Sequence, residues 1–420
     1  MLTQLVLAHH MLFLVIATEG TLCPTRSQML YRYTITAAEK LGLFSLNIEQ
    51  TSDTLFSTVI EDQMSWKLWS RVESVKNLII GLTLLDSSLS RILSTSPMIN
   101  TDNLQLALPC DSVLYRARTA AEWSQLARQG FSLTGPTMSL PSRVHISCLY
   151  GPMCVILVRM TANYHRLIVN SDLVPEDQHQ HVPWRIYSLD KRARMITPLV
   201  VHFIQQYEVN LQGSNPNCVV MWHNLCLWLT ADTRLLERAA GREGSEVMQL
   251  ARQSLYVWAK TPAARRACLH AAQIFYSLSN WRPSYGIGYQ PVNCLFQSAL
   301  VLSLYILVSQ EPENTQQYRN EVFDLARANI DWKSVGDEGL AEAPTDPSAT
   351  GCPAVNFIRY GGPIVVCGKT YVGGARHARR LILDFASLLD EVGKHWMATY
   401  PRLLYMIHDT MVDGYVGTPS

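Results

Sequence analysis

The stretch DQMSWKLWSRVESVKNLIIGLTLLDSSLSRIL, residues 62–93, constrains the fold more than any other part of the chain. Trp66, Trp69, Val72, Leu78, Ile79, Leu82 and Leu85 recur at helical spacing, over a run too long for a strand. Asp62 or Ser65 can cap its start. Lys67, Arg71, Glu73 and Lys76 are expected mostly on the side away from the apolar stripe. Gly81 costs such a helix about 1 kcal/mol of propensity. A helix of this length needs other helices to cover it, and the rest of the sequence supplies them.

Helical periodicity recurs at Tyr31–Phe44, Leu114–Arg128, Arg143–Val169, Arg192–Leu211, Cys218–Ala231 and Glu246–Ala259. It continues at Ala263–Leu278, Val292–Ser309, Gln316–Ala328 and Ala375–Tyr400. Segments rich in turn-forming residues separate these blocks at 129–141, 171–183 and 334–353. The last of these is too poor in apolar residues to bury much surface, and is expected to be a flexible loop. Strand patterns are scarce, PIVVC being the best of them. The expectation is an all-α protein, a single large multi-helix domain spanning residues 1–420.

Charge narrows the function classes. Only 16% of residues are charged, against a usual share of about 25%, while 48% are hydrophobic. Thirty-five Lys and Arg offset 34 Asp and Glu, for a net charge of +1. Bulk charge therefore gives no grip on nucleic acid or on an anionic membrane. The apolar N-terminal run lacks a basic leader and is broken by His9 and His10, so it reads as a core helix. The run Cys294–Gln310 is short of the roughly 20 residues a membrane span needs and reads as a buried helix. The ten cysteines are scattered without a C-x-x-C pair, as befits buried, reduced thiols of an intracellular protein.

Look-alikes of chemical sites fail on spacing or context. GGPIVVCGKTYVGG, residues 361–374, ends its middle in Gly-Lys-Thr, as a phosphate-binding loop does. Pro363, however, stands where the first glycine of that loop belongs and has no N–H to offer a phosphate. His145 with Cys148 and His223 with Cys226 place two metal-binding side chains one helical turn apart. Both pairs lie in apolar helices and read as packed core. No G-x-S-x-G elbow is present, and the acidic pairs Asp337/Glu338 and Asp390/Glu391 read as solvated charges. The basic clusters RRACLH (265–270) and RHARR (376–380) read as water-facing helix surfaces, with an acidic partner or a nuclear-import signal as the alternative. No catalytic, cofactor-binding or metal-ligating residue is assigned, no cofactor is expected, and the chain does not read as an enzyme.

One block is more specific. From Trp66 to Trp123, a Trp pair, Glu73 followed by Lys76, Asp86, Pro97, Leu108-Pro109 and Ala121-Glu122-Trp123 follow one another in order. This order resembles the fungal-specific transcription factor domain, also called the middle homology region. Val75-Lys76 stands where that family often has Arg-Arg, a departure expected to weaken a charge network. YRYTITAAEKLGLF, the segment 222–244 and the tail 361–396 resemble further parts of the same family, so nearly the whole chain is covered. The resemblance implies a regulator of transcription located in the nucleus and controlling a metabolic or secondary-metabolite gene cluster. A helical scaffold or inhibitor without a promoter role is the alternative. Family members place a zinc-dependent DNA-binding module upstream, and this chain begins near the domain's first helix. Contact with DNA is therefore expected only indirectly or through a module missing from this chain. Implied partners are co-regulator proteins, a small-molecule effector in an apolar interhelical pocket, and a second copy in a dimer; no membrane is implied.

Overall fold

The computed structural model describes residues 24–44, 62–100, 108–110, 112–131, 133, 149–169, 181–212, 215–281, 288–309, 323–325, 330, 332–335, 353–366, 368–393 and 399–413. Among the described residues the architecture is all-α apart from three short strands. The described residues fall into two compact units, 24–169 and 181–413. The N-terminal helix expected over the first residues, His145 with Cys148, and nearly all of the 334–353 loop lie outside the described residues.

In the first unit, α1 (Pro24–Lys40) and α2 (Gln63–Ile92) are followed by two short helices, α3 (Ser112–Tyr115) and α4 (Ala120–Arg128). The expected helix Leu114–Arg128 is thus broken. Thr119 starts α4 anew by accepting the Glu122 N–H, and Glu122 accepts the Arg118 N–H in return. Helix α5 (Tyr150–Tyr164) runs on into a wider π-turn, His165–Val169. It packs on α2, where Ser87 and Thr161 share a hydrogen bond of 2.7 Å. Gly151 permits a close approach there: a Cβ at this position would stand 2.6 Å from a Leu108 methyl and 3.3 Å from one of Ile80.

The second unit begins with α6 (Pro183–Leu189) and α7 (Ile196–Gln212), followed by α8 (Pro216–Thr230) and α9 (Thr233–Ala239). The chain continues through α10 (Ser245–Ala259), α11 (Pro262–Ser279) and α12 (Tyr289–Val308). Every residue of α12 from Tyr289 to Ile306 is buried, with α11 and α8 among its neighbours. By length and composition α12 could cross a membrane, but its surface is spent on the interior of this unit.

Beyond α12, the three described residues of the expected helix Gln316–Ala328 are not helical. Within Gln316–Ala328, the described residues Phe323 and Asp324 form β1, which pairs in parallel with β2 (Ile364–Val366) after α13 (Trp332–Val335) and α14 (Pro353–Tyr360). Phe323 stacks on Phe357 of α14, a contact that an extended backbone reaches. β2 turns back into β3 (Lys369–Tyr371), and α15 (Ala375–Val392) and α16 (Thr399–Asp413) close the chain. The expected helix Ala375–Tyr400 ends early, at Gly393, where a Cβ would stand 2.6 Å from the Leu389 carbonyl oxygen.

Candidate functional site

Three places drew attention in the sequence: the Trp66–Trp123 block, the His223/Cys226 pair with RRACLH, and the stretch 361–374. The Trp66–Trp123 block is a set of buried locks. Asp62 caps α2 by accepting the Ser65 N–H at 3.2 Å. One turn further, Trp69 packs against Trp123 of α4 with ring centres 5.5 Å apart and donates its indole N–H to the Leu133 carbonyl at 2.8 Å. Trp66 is only partly buried at the edge of this cluster.

Glu73 and Lys76 do not face water. Each is 1% exposed, and the Lys76 ammonium lies 2.7 Å from Glu73 Oε1. The other oxygen, Oε2, accepts the Cys110 N–H at 2.9 Å, fixing the chain just after Leu108-Pro109. The Val75-Lys76 departure therefore keeps a charge network, because Lys76 supplies the cation one turn from the carboxylate. Asp86 repeats the device at the far end of the helix. Its two oxygens accept the N–H groups of Met98 and Ile99, each at 2.9 Å, and the Tyr31 hydroxyl of α1 donates to Oδ1. Burial holds the Asp86 carboxyl above the usual range and the Tyr31 hydroxyl far above its own. Trp69, Glu73, Lys76 and Asp86 thus hold helices and turns together.

The second place is a seam of α8, α11 and α13. His223 and His270 are both fully buried, with Nδ1 atoms 3.0 Å apart, so one imidazole donates to the other. Trp222 stacks on His223, and Trp332 stacks on His270 at 4.4 Å. Burial lowers the His223 pKa to about 3 and pushes His270 well below its ordinary value, helped by the charges of His223 and Arg266. Burial also raises Cys226 to about 12, so this thiol is a poor nucleophile at neutral pH. Beside the seam lies a narrow, partly open cleft with room for little more than a water molecule, lined by Val200, Ile204, Leu229, Arg266 and Trp332 among others. Among the described residues, no group of three or more His, Cys, Asp or Glu side chains converges as a metal site would require.

RRACLH, read as a water-facing cluster, is here an inward one. Arg266 is 6% exposed and His270 fully buried, while Arg265 donates to the carbonyls of Ile358 and Arg359 at the end of α14. RHARR keeps Arg376 and Arg380 exposed. Sequence reading missed the burial because α11 has neighbours on both sides, and only the tertiary packing turns a short basic run inward.

The third place, GGPIVVCGKTYVGG, is a hairpin. Val366 pairs with Lys369 across a two-residue turn in which Gly368 has φ +77°. Gly-Lys-Thr is the turn and return strand. Lys369 meets Asp384 of α15 at 2.6 Å, and the Tyr371 hydroxyl donates to the other Asp384 oxygen at 2.9 Å. The lysine of the would-be phosphate loop thus pins the hairpin to the helix that follows.

Comparison with known proteins finds likeness to fungal transcription factors, without a match to the specific domain family. No protein-family model matches the chain, and no solved structure matches it significantly. It is 22% identical over 228 residues to "Transcription factor PfmaH" of Pestalotiopsis fici, an alignment covering 50% of this chain and 23% of that protein. It is 33% identical over 79 residues to "Transcription factor 1" of Elsinoe fawcettii, covering 18% of this chain and 8% of that protein. The chain spans less than a quarter of the length of these curated relatives. Over half its length, then, this chain is similar to a fungal protein named as a transcription factor, and over a shorter stretch to a second.

Proposed function

We propose that this chain is a regulator of transcription acting in the nucleus, and that its targets belong to a metabolic or secondary-metabolite gene cluster. The observation that carries the reading is the likeness, over half the chain, to a protein named as a transcription factor. The signature block supports it, because Glu73 and Asp86 of its pattern each anchor a buried lock, Glu73–Lys76–Cys110 and Tyr31–Asp86–Met98–Ile99. In this reading the chain is a regulatory domain rather than an enzyme. Contact with DNA comes through another module or a partner, and co-regulators bind its surface. A small-molecule effector, in this reading, binds an apolar interhelical pocket that opens on binding, since the cleft beside Trp332 is too narrow to hold one as it stands.

The test tethers the full chain to a heterologous DNA-binding domain upstream of a reporter in a fungal host. A change in reporter output of several-fold, up or down, with accumulation of the fluorescently tagged chain in nuclei, is the expected outcome. A stable chain that stays out of nuclei and leaves the reporter unchanged would instead favour a scaffold without a promoter role.

A further inference from the structure

The turn between α6 and α7 carries an exposed basic and apolar cluster that the signature block and the cleft leave unused. Lys191, Arg192 and Arg194 are all exposed, and among the described residues none of their side chains forms an ion pair. Leu189 on one flank is 89% exposed and Met195 on the other 64%. Such exposure of a large aliphatic side chain is ordinary for an isolated residue, but here two of them bracket three unpaired cations.

The turn is also firmly built. Asp190 Oδ1 accepts the N–H groups of Arg192 and Ala193 at 2.9 and 2.8 Å. The Asp190 carbonyl accepts the Arg194 N–H at 2.9 Å, and the Ala193 carbonyl accepts that of Ile196 at 2.8 Å. Ala193 is fully buried and anchors the turn to the body of its unit. The nearest acid in sequence, Asp190, has Oδ1 engaged by backbone amides, so the three cations project from a preorganised backbone. Preorganisation lowers the ordering cost that a partner must overcome.

We propose that this turn is a docking site for an acidic, amphipathic segment of a partner protein, with carboxylates meeting Lys191, Arg192 and Arg194 and apolar side chains covering Leu189 and Met195. Charge complementarity selects the acidic partner. The two aliphatic flanks favour a peptide over nucleic acid, whose phosphates would satisfy the cations and leave Leu189 and Met195 in water. The site deepens the regulatory reading by giving co-regulator binding a location, and it rests on that reading only for the partner's role.

The experiment measures fluorescence anisotropy of a labelled synthetic peptide, in which Leu and Phe alternate with Asp and Glu, titrated with the full chain. Saturable binding that weakens as salt is raised is expected, with at least about a tenfold loss for K191E/R192E/R194E. A several-fold loss is expected for L189S/M195S, and no change for R376E/R380E, which reverses exposed cations elsewhere. The milder K191Q/R192Q/R194Q serves if the reversal perturbs folding, and circular dichroism checks each variant. Equal binding by wild type and the triple variants, or no binding at all, overturns the site. A duplex DNA that binds through the same three cations more tightly than the peptide overturns the choice of partner. A failed titration alongside an active tethered reporter removes the docking site and leaves the proposed function standing.

Discussion

Asp86 shows how much one side chain can carry in this protein. A buried carboxylate is tolerated because its oxygens take two backbone N–H groups and a hydroxyl, from Met98, Ile99 and Tyr31. Asp86→Ala leaves these donors unsatisfied in a region closed to water, and should cost about 3 kcal/mol or more in denaturant unfolding. Tyr31→Phe removes one donor and leaves the amides paired, so about 1 kcal/mol is expected. If the two variants were equally damaging, the hydroxyl rather than the amides would hold the loop. Glu73 follows the same logic with Lys76 as counter-charge. Sequence reading placed both on the wet side because periodicity assigns charges to solvent by type, and cannot see that the Cys110 amide waits for one of them.

At the scale of elements, the α8–α11 seam predicts a pH dependence. His223 and His270 are neutral in the fold, with pKa values lowered by burial, whereas in the unfolded chain each titrates near 6.5. Below about 6.5 the unfolded state binds more protons than the folded one, so folding stability falls as the pH drops. The loss should approach about 1.4 kcal/mol per pH unit for each histidine that must remain neutral, and should persist down towards the lowered folded values. Stability above pH 7 should be flat with respect to this pair. Denaturant unfolding between pH 7.5 and about 5 checks the slope, and His223→Gln should reduce it. The β2–β3 hairpin makes a second element-level prediction. Because Lys369 serves Asp384, about 1 kcal/mol or less should be lost in Lys369→Ala, a partly exposed ion pair, and millimolar ATP should leave the melting temperature unchanged. A shift on adding ATP would restore the phosphate-loop reading.

At the scale of the whole molecule, 35 basic against 34 acidic residues leave no field to hold DNA. The isolated chain should therefore fail to retain a random duplex in a filter-binding assay at physiological salt, whereas retention would point to a local basic surface strong enough to act alone. The helical character of the chain was written in the sequence, since apolar residues at helical spacing over segments such as 62–93, 218–231 and 263–278 leave few other ways to bury them. So was the order of the signature residues, because identity and spacing along one chain are all it needs. Three things were not. The strand at Phe323–Asp324 depends on β2, which lies far along the sequence, and on Phe357. The inward turn of Arg266 and His270 depends on helices packed from more than one side. The exposure of Lys191, Arg192 and Arg194 depends on Ala193 being buried and Asp190 being spent on the backbone. Local periodicity determines which segments are helices. Which of their polar residues are locks and which are left to meet a partner is decided by contacts between segments distant in sequence, and only the tertiary structure sets those.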